Sequence, residues 1–249
     1  MRNISPSLLK EYLFCPRSFY YRKLQHFSLI SSTNDHAIAQ ERIDTFTSGF
    51  FSTLKIWNES QPKTHFELEY LLSSKFFTYL EPKEEKQTLR ELDEKIFTIL
   101  LWLTIHLWEK NTSKDYESPN YLPLMVNEFI QAPELHLQGR PSAVFRQQNN
   151  SALLFIQTFQ QKLPHIKNSE HLQATIYARI LQAMGINAQD YLFVNYHSMD
   201  LKFQQLKSGD FISLDNYLHN FKLAIREGNF DPPKNPPCLQ CEFKWICKD

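Results

Sequence analysis

Four cysteines are the side chains of this 249-residue chain whose type and spacing most clearly suggest chemistry. Cys15 stands near the start, and Cys238, Cys241 and Cys247 form a C-x2-C-x5-C run near the end, behind Pro232, Pro233, Pro236 and Pro237. A Cys-x2-Cys pair lets two sulfurs converge on one ion, so three thiols this close read as a ligand cluster. Cys15 is the candidate fourth ligand. A metal held this way would tie the N-terminal helix to the C-terminal tail, and closing so long a loop favours the folded state. The competing reading is three unrelated thiols and a buried Cys15. The absence of cysteine between positions 16 and 237 favours the metal site. Spacing alone does not separate zinc from an iron–sulfur cluster, because both accept four thiolates.

A second chemical feature is an absence. From Leu135 to Ser169 there is no aspartate or glutamate, and Glu128 and Glu134 are the nearest carboxylates before it. Elsewhere the chain offers little local chemistry. The five glycines never come close together, so no phosphate-cradling loop of the P-loop or dinucleotide type can be built. That argues against kinases, P-loop NTPases and Rossmann oxidoreductases. No serine or cysteine nucleophile sits in a recognisable motif, and His165, His171 and His197 lack metal-ligand spacing. With 27 basic and 27 acidic residues the formal charge is zero, which argues against coating nucleic acid by charge alone. Arg17, Arg22 and Lys23, interleaved with Phe19, Tyr20 and Tyr21, form the best local nucleic-acid candidate. Those aromatics could equally pack around the cysteines. Arg140, Arg146, Lys162 and Lys167 are scattered enough to read as a solvated face.

Three segments together resemble the RecB-like PD-(D/E)XK nucleases that carry a four-cysteine iron–sulfur cluster. They are the opening Ser7–Tyr21 with its Cys15-Pro16-Arg17, the C-x2-C-x5-C tail, and Gln173-Ala-Thr-Ile-Tyr177, which is similar to that family's Q-x3-Y helix. CRISPR-associated four-cysteine exonucleases and the nuclease domain of AddB-type helicase–nucleases are the nearest members by this pattern. The resemblance implies a 4Fe-4S cluster on Cys15, Cys238, Cys241 and Cys247, with zinc as the alternative, and contacts to DNA or to the site from Gln173 and Tyr177. It also implies a glutamate on the first core strand, an aspartate just after a glycine on the second, and a (D/E)-x-K on the third. The carboxylates would hold a divalent metal that polarises phosphate and makes the attacking hydroxide. Glu128 matches the first position. Ser142, however, stands at the aspartate, Gln157 and Phe159 stand at the carboxylate and lysine, and Gln40 stands where a helical histidine would be. Neutral side chains cannot replace that charge, so the cleavage chemistry is expected to be lost and no catalytic magnesium or manganese is expected.

The elements that must position these residues follow from periodicity. Ser5-Pro6 is an N-cap and N1 pair, with Leu8, Leu9, Tyr12 and Leu13 at helical spacing behind it. Helices are expected over about Asn34–Trp57 and Pro82–Glu109; the latter's apolar half, Ile96–Trp108, is too short to cross a bilayer. Strands are expected at Leu124–Ile130, Leu135–Phe145 and Leu153–Phe159, with turn composition at Gln147–Ser151. A helix over Ser169–Met184 closed by Gly185, strands at Tyr191–Tyr196 and Lys202–Leu206, and a helix over Leu214–Arg226 stopping at Gly228 complete the pattern. The expected fold is α/β: a restriction-endonuclease-like core, a central mixed sheet flanked by helices, with an extended helical N-terminal half. The expected organisation is a single domain over 1–249. A helical region at 25–120 precedes the sheet core at 121–228, and a cysteine-rich tail at 229–249 docks on the N-terminal helix. Met1–Lys10 has no signal-peptide pattern, so a cytoplasmic protein that is not membrane-associated is expected. Three functions are open. One is a catalytically inactive iron–sulfur subunit that binds a protein partner or nucleic acid. The others are an active DNA exonuclease with displaced ligands, and a redox or metal-sensing protein.

Overall fold

The computed structural model describes residues 3–24, 34–58, 66–67, 70, 87–110, 122–147, 151–159, 169–232, 241 and 247. Helices α1 (Pro6–Phe14), α2 (Pro16–Phe19), α3 (Asn34–Asn58) and α4 (Gln87–Lys110) come first. Strands β1 (Pro123–Val126), β2 (Ile130–Ala132), β3 (Leu137–Gly139), β4 (Ala143–Arg146) and β5 (Ser151–Thr158) follow. Then come α5 (Ser169–Ala183), β6 (Asn187–Asn195), β7 (Asp200–Gln205) and α6 (Ser208–Glu227). Five strands make one sheet in the order β1-β4-β5-β6-β7, antiparallel except for the parallel pair β5–β6. A parallel pair needs a crossover connection, and α5 supplies it. The fold is therefore mixed α/β, with a five-stranded central sheet flanked by helices. Among the described residues no helix is long and apolar enough to cross a membrane.

β5 is buried from Ala152 to Thr158, and its alternate residues face two different cores. Ala152, Leu154 and Ile156 pack with α1, α2, α5 and α6. Leu153 and Phe155 face the other way, against Phe46, Phe50 and Phe51 of α3 and the Leu100 and Leu103 rows of α4. Period two in the strand thus divides one apolar run between two helical layers. Arg42 of α3 grips Asp93 of α4 with two hydrogen bonds, of 2.9 and 2.5 Å. Asp93 is buried, and such fork-to-carboxylate pairing is what lets a charge sit there.

Local signals account for most element ends. The Ser5 hydroxyl accepts the Leu8 N–H at 3.3 Å and starts α1. Gly185 and Gly228, at φ 82° and 67°, close α5 and α6 in the left-handed region. Two expected strands prove to be four. The run expected at Leu124–Ile130 breaks at Asn127, whose φ is 49°. The Asn127 N–H donates to the Ser142 carbonyl at 3.0 Å, while its side chain donates to the Asp44 carbonyl and the Ser48 hydroxyl on α3. Past that residue the chain leaves the main sheet. It forms a separate hairpin, β2–β3, that is bridged to Ile4. The run expected at Leu135–Phe145 breaks at Arg140-Pro141, where the chain returns to the main sheet and proline has no N–H for a ladder. The helix expected from Pro82 is seen from Gln87, and its first expected turn lies outside the described residues.

Candidate functional site

Of the positions to which the resemblance assigns catalysis, Ser142, Gln157 and Phe159 meet against α3 and its Gln40. Gln157 and Ser142 are almost fully buried, at 4% and 5% exposure. The Gln157 backbone N–H donates to the Ser142 hydroxyl at 2.9 Å. The side-chain amide of Gln157 donates to Thr47 Oγ1 at 2.7 Å and accepts from the Tyr196 hydroxyl at 2.5 Å. Burial pushes the Tyr196 phenol far up, so it stays a neutral donor. Two residues on, the Phe159 N–H donates to Gln40 Oε1 at 3.2 Å, and Gln40 Nε2 donates to Asp44 Oδ1 at 3.0 Å. The Phe159 ring, at the lysine position, packs against the α3–α4 core and lies edge-on to His197. Glu128 lies one residue past the Asn127 break, in the exposed link to β2.

This arrangement is built mainly of neutral groups, with both ends of the Gln157 amide engaged. Among the described residues, Asp44 is the single carboxylate bonded into it. Burial raises its pKa, while the Gln40 bond and the Arg140 charge oppose that rise. Magnesium at such a site takes one or two carboxylates together with substrate oxygens and waters. The resemblance pointed to Ser142, Gln157, Phe159 and Gln40 but did not point to Thr47, Tyr196 or Asp44. A signal for two of these was present in the sequence. Gln40, Asp44 and Thr47 repeat at i, i+4 and i+7, a polar stripe on a helix that must face the sheet.

Gln173 and Tyr177 do a structural task. The Tyr177 ring lies over Gly139 so closely that a β-carbon there would meet its Cε1 at 2.3 Å. Its oxygen takes the Gln173 amide at 3.2 Å and the Arg140 backbone N–H. Gln173 in turn accepts from Lys10 Nζ at 2.6 Å. Burial pulls the Lys10 ammonium down to about 8, and the nearby Glu170 charge works against that pull. Glu170 also binds Lys202. Burial disfavours its ionised form, but the Lys202 bond and the Lys202 and Lys10 charges hold its carboxyl below the usual range. Beside it, His171 reaches Asp210 Oδ2 at 2.9 Å and the Tyr191 hydroxyl at 2.9 Å. This charged seam ties α1, α5, β6, β7 and α6 together.

At the cysteine end, Cys15 is buried at the α1–α2 junction, and burial pushes its thiol up. Its electrostatic neighbours include Cys241 and Cys247. Arg17 reaches Cys247 Sγ at 3.9 Å and Asp231 at 3.6 Å, and the Cys247 bond holds its guanidinium more firmly charged. Lys23 pairs with Glu11 at 3.4 Å. Phe19 and Tyr20 pack with Phe221 and Phe230, so these rings are committed to the fold. Cys238 lies outside the described residues, and among the described residues no three ligand-type side chains form a metal-binding group. The four-thiolate donor set remains suited in type to zinc or to an iron–sulfur cluster.

A family model described as the PD-(D/E)XK nuclease superfamily matches residues 3–248. No curated protein matches. Among solved structures, a proposed exonuclease from Eubacterium rectale is similar at a TM-score of 0.47 and 10% identity, covering 100% of this chain and 89% of its own. The protein SSO0001 is similar at a TM-score of 0.28 and 14% identity, covering 96% and 93%.

Proposed function

The chain belongs to the PD-(D/E)XK nuclease superfamily, and from that premise we propose that it is a nuclease-like protein without nuclease activity, a non-enzymatic subunit that binds a partner. The observation that carries this reading is the buried Gln157 amide, bonded at both ends by Thr47 and Tyr196 where the family would place a metal-binding carboxylate. A divalent ion there would have to displace two good hydrogen bonds, and the one carboxylate bonded into the arrangement, Asp44, sits at its margin on Gln40. Cys15, Cys238, Cys241 and Cys247 would hold a 4Fe-4S cluster, or zinc in its place. That group would supply a covalent tie between the chain ends rather than a reaction at phosphate. The partner is proposed to be a protein, with nucleic acid as the second candidate.

The test is direct. Protein purified without air should contain iron and sulfide in near-equal amounts, and Cys15→Ser should lose both. The same protein, incubated with magnesium or manganese and end-labelled single- or double-stranded DNA, should leave the DNA intact. Manganese-dependent degradation abolished by Asp44→Asn or Glu128→Ala would overturn the inactive reading in favour of an exonuclease with displaced ligands. Stoichiometric zinc without iron would correct the cofactor and leave the inactive reading standing.

A further inference from the structure

A cavity of about 180 Å³ opens between α5, α6 and the turn before β3, on the side of the sheet away from α3. Leu135 and Leu137 come from the turn and β3, and Leu218 comes from α6. Arg179 of α5 lines the same space, and so does Lys222, one turn along α6 from Leu218. Asp215 sits on the rim and takes Arg179 Nη2 at 3.2 Å. The Arg179 Nε is buried and has no hydrogen-bond partner among the described residues. A buried donor left unmatched is costly, and in natural structures such a group calls for an occupant.

We propose that this cavity binds a small aliphatic carboxylate, free or as the C-terminal residue of a peptide. The leucines would take the alkyl body, and Arg179 Nε with Lys222 would take the charge. The size supports this, because drug-sized sites run to roughly 300–1,000 Å³ and this one fits a group the size of one amino-acid residue. The charge supports it too. Arg179 and Lys222 against Asp215 leave one net positive charge, and the His219 imidazole lines the same space, so the lining suits an anion. A nucleic-acid strand would need a basic track rather than a single recess walled by leucines. The inference does not depend on the proposed loss of nuclease activity or on the cysteine cluster.

The experiment is a titration of the deuterated, ¹⁵N-labelled full chain followed by amide chemical shifts. N-acetyl-L-leucine should move the amides of Leu137, Arg179 and Leu218 saturably. N-acetyl-L-leucinamide, which lacks the charge, should bind about ten-fold more weakly or worse, as expected for a charge-assisted bond. Lys222→Gln should weaken the acid several-fold while leaving the melting temperature unchanged. A pentapeptide ending in leucine that binds more tightly than N-acetyl-L-leucine would assign the pocket to a protein C-terminus; weaker binding would assign it to a free acid. The absence of saturable shifts up to about 20 mM, the weak limit of specific binding, would mean that water alone fills the pocket and would overturn the proposal. Equal binding of the amide or of inorganic phosphate would overturn it as well.

Discussion

The sheet carries a polar cluster on each face, and the two are built on opposite terms. Toward α3, Ser142, Gln157, Thr47 and Tyr196 join through neutral groups, with Asp44 alone at the margin. Toward α5 and α6, Lys10, Glu170 and Lys202 join through charges, and His171 adds its contact to the Asp210 carboxylate. A PD-(D/E)XK nuclease would concentrate its charge on the catalytic side. Here the charged pairs of the seam lie on one face, while Ser142 and Gln157 stand buried on the other. A buried charge survives only with a partner, so a buried site made of amides and hydroxyls is stable as a neutral network.

The strongest way to break this contrast is to restore one charge. Gln157→Glu would bury a carboxylate among partners matched to an amide, and should cost about 3 kcal/mol or more at pH 8. A buried carboxyl has a raised folded pKa, so the loss should shrink as pH falls toward 5. Urea unfolding at both pH values measures this, and an unchanged midpoint at pH 8 would show that water reaches the network.

The next test compares one bond from each face. Tyr196→Phe and Glu170→Gln should each cost about 1–2 kcal/mol. In about 0.5 M salt the Glu170→Gln cost should fall while the Tyr196→Phe cost holds, because only the seam consists of charges that salt can screen. Equal responses to salt in parallel melts would erase the distinction.

Lys10 offers a smaller signature. Its folded pKa of about 8 lies below the usual lysine value, so between about pH 8 and 10.5 the unfolded chain binds the extra proton. Wild-type stability should therefore rise across that window relative to Lys10→Met, and a flat difference between the two unfolding curves would refute it. The smallest effect is expected at Asp44. Its raised pKa means that the ionised carboxylate is penalised at neutral pH, and the penalty vanishes once acid protonates the folded form. Asp44→Asn keeps an acceptor for Gln40 and should raise the melting temperature by about 2 °C at pH 7. It should have no effect near pH 3.

Much of this could be read from the chain. Helix α5 was legible because Gly185 marks its stop, and β5 because an apolar run of that length must be buried. The breaks at Asn127 and Arg140-Pro141 were not legible, since alternation reads the same whichever sheet a strand joins. What separates the hairpin from the main sheet is Asn127 bonding to α3, a contact spanning about eighty residues. The site shows the same limit. Ser142 and Gln157 could be located by pattern, but their partner Thr47 lies 110 residues from Gln157 and Tyr196 lies 39 away. Only the polar stripe Gln40–Asp44–Thr47 carried a local trace of that meeting.

The packing of Phe19 against Phe221 and Phe230, together with the bridge from Ile4 to Leu137, has a consequence for synthesis. Helix α2 leaves a ribosome about 200 residues before Phe221 and Phe230, part of its core cover. At about 5–20 residues per second, Phe19 and Leu9 would wait roughly 10–40 s for Phe230 to emerge. During that interval an apolar N-terminal segment stands without its native cover. The contacts of α2 with Phe221 and Phe230 must therefore form late, and a nascent-chain holdase would have a clear target in α1 and α2.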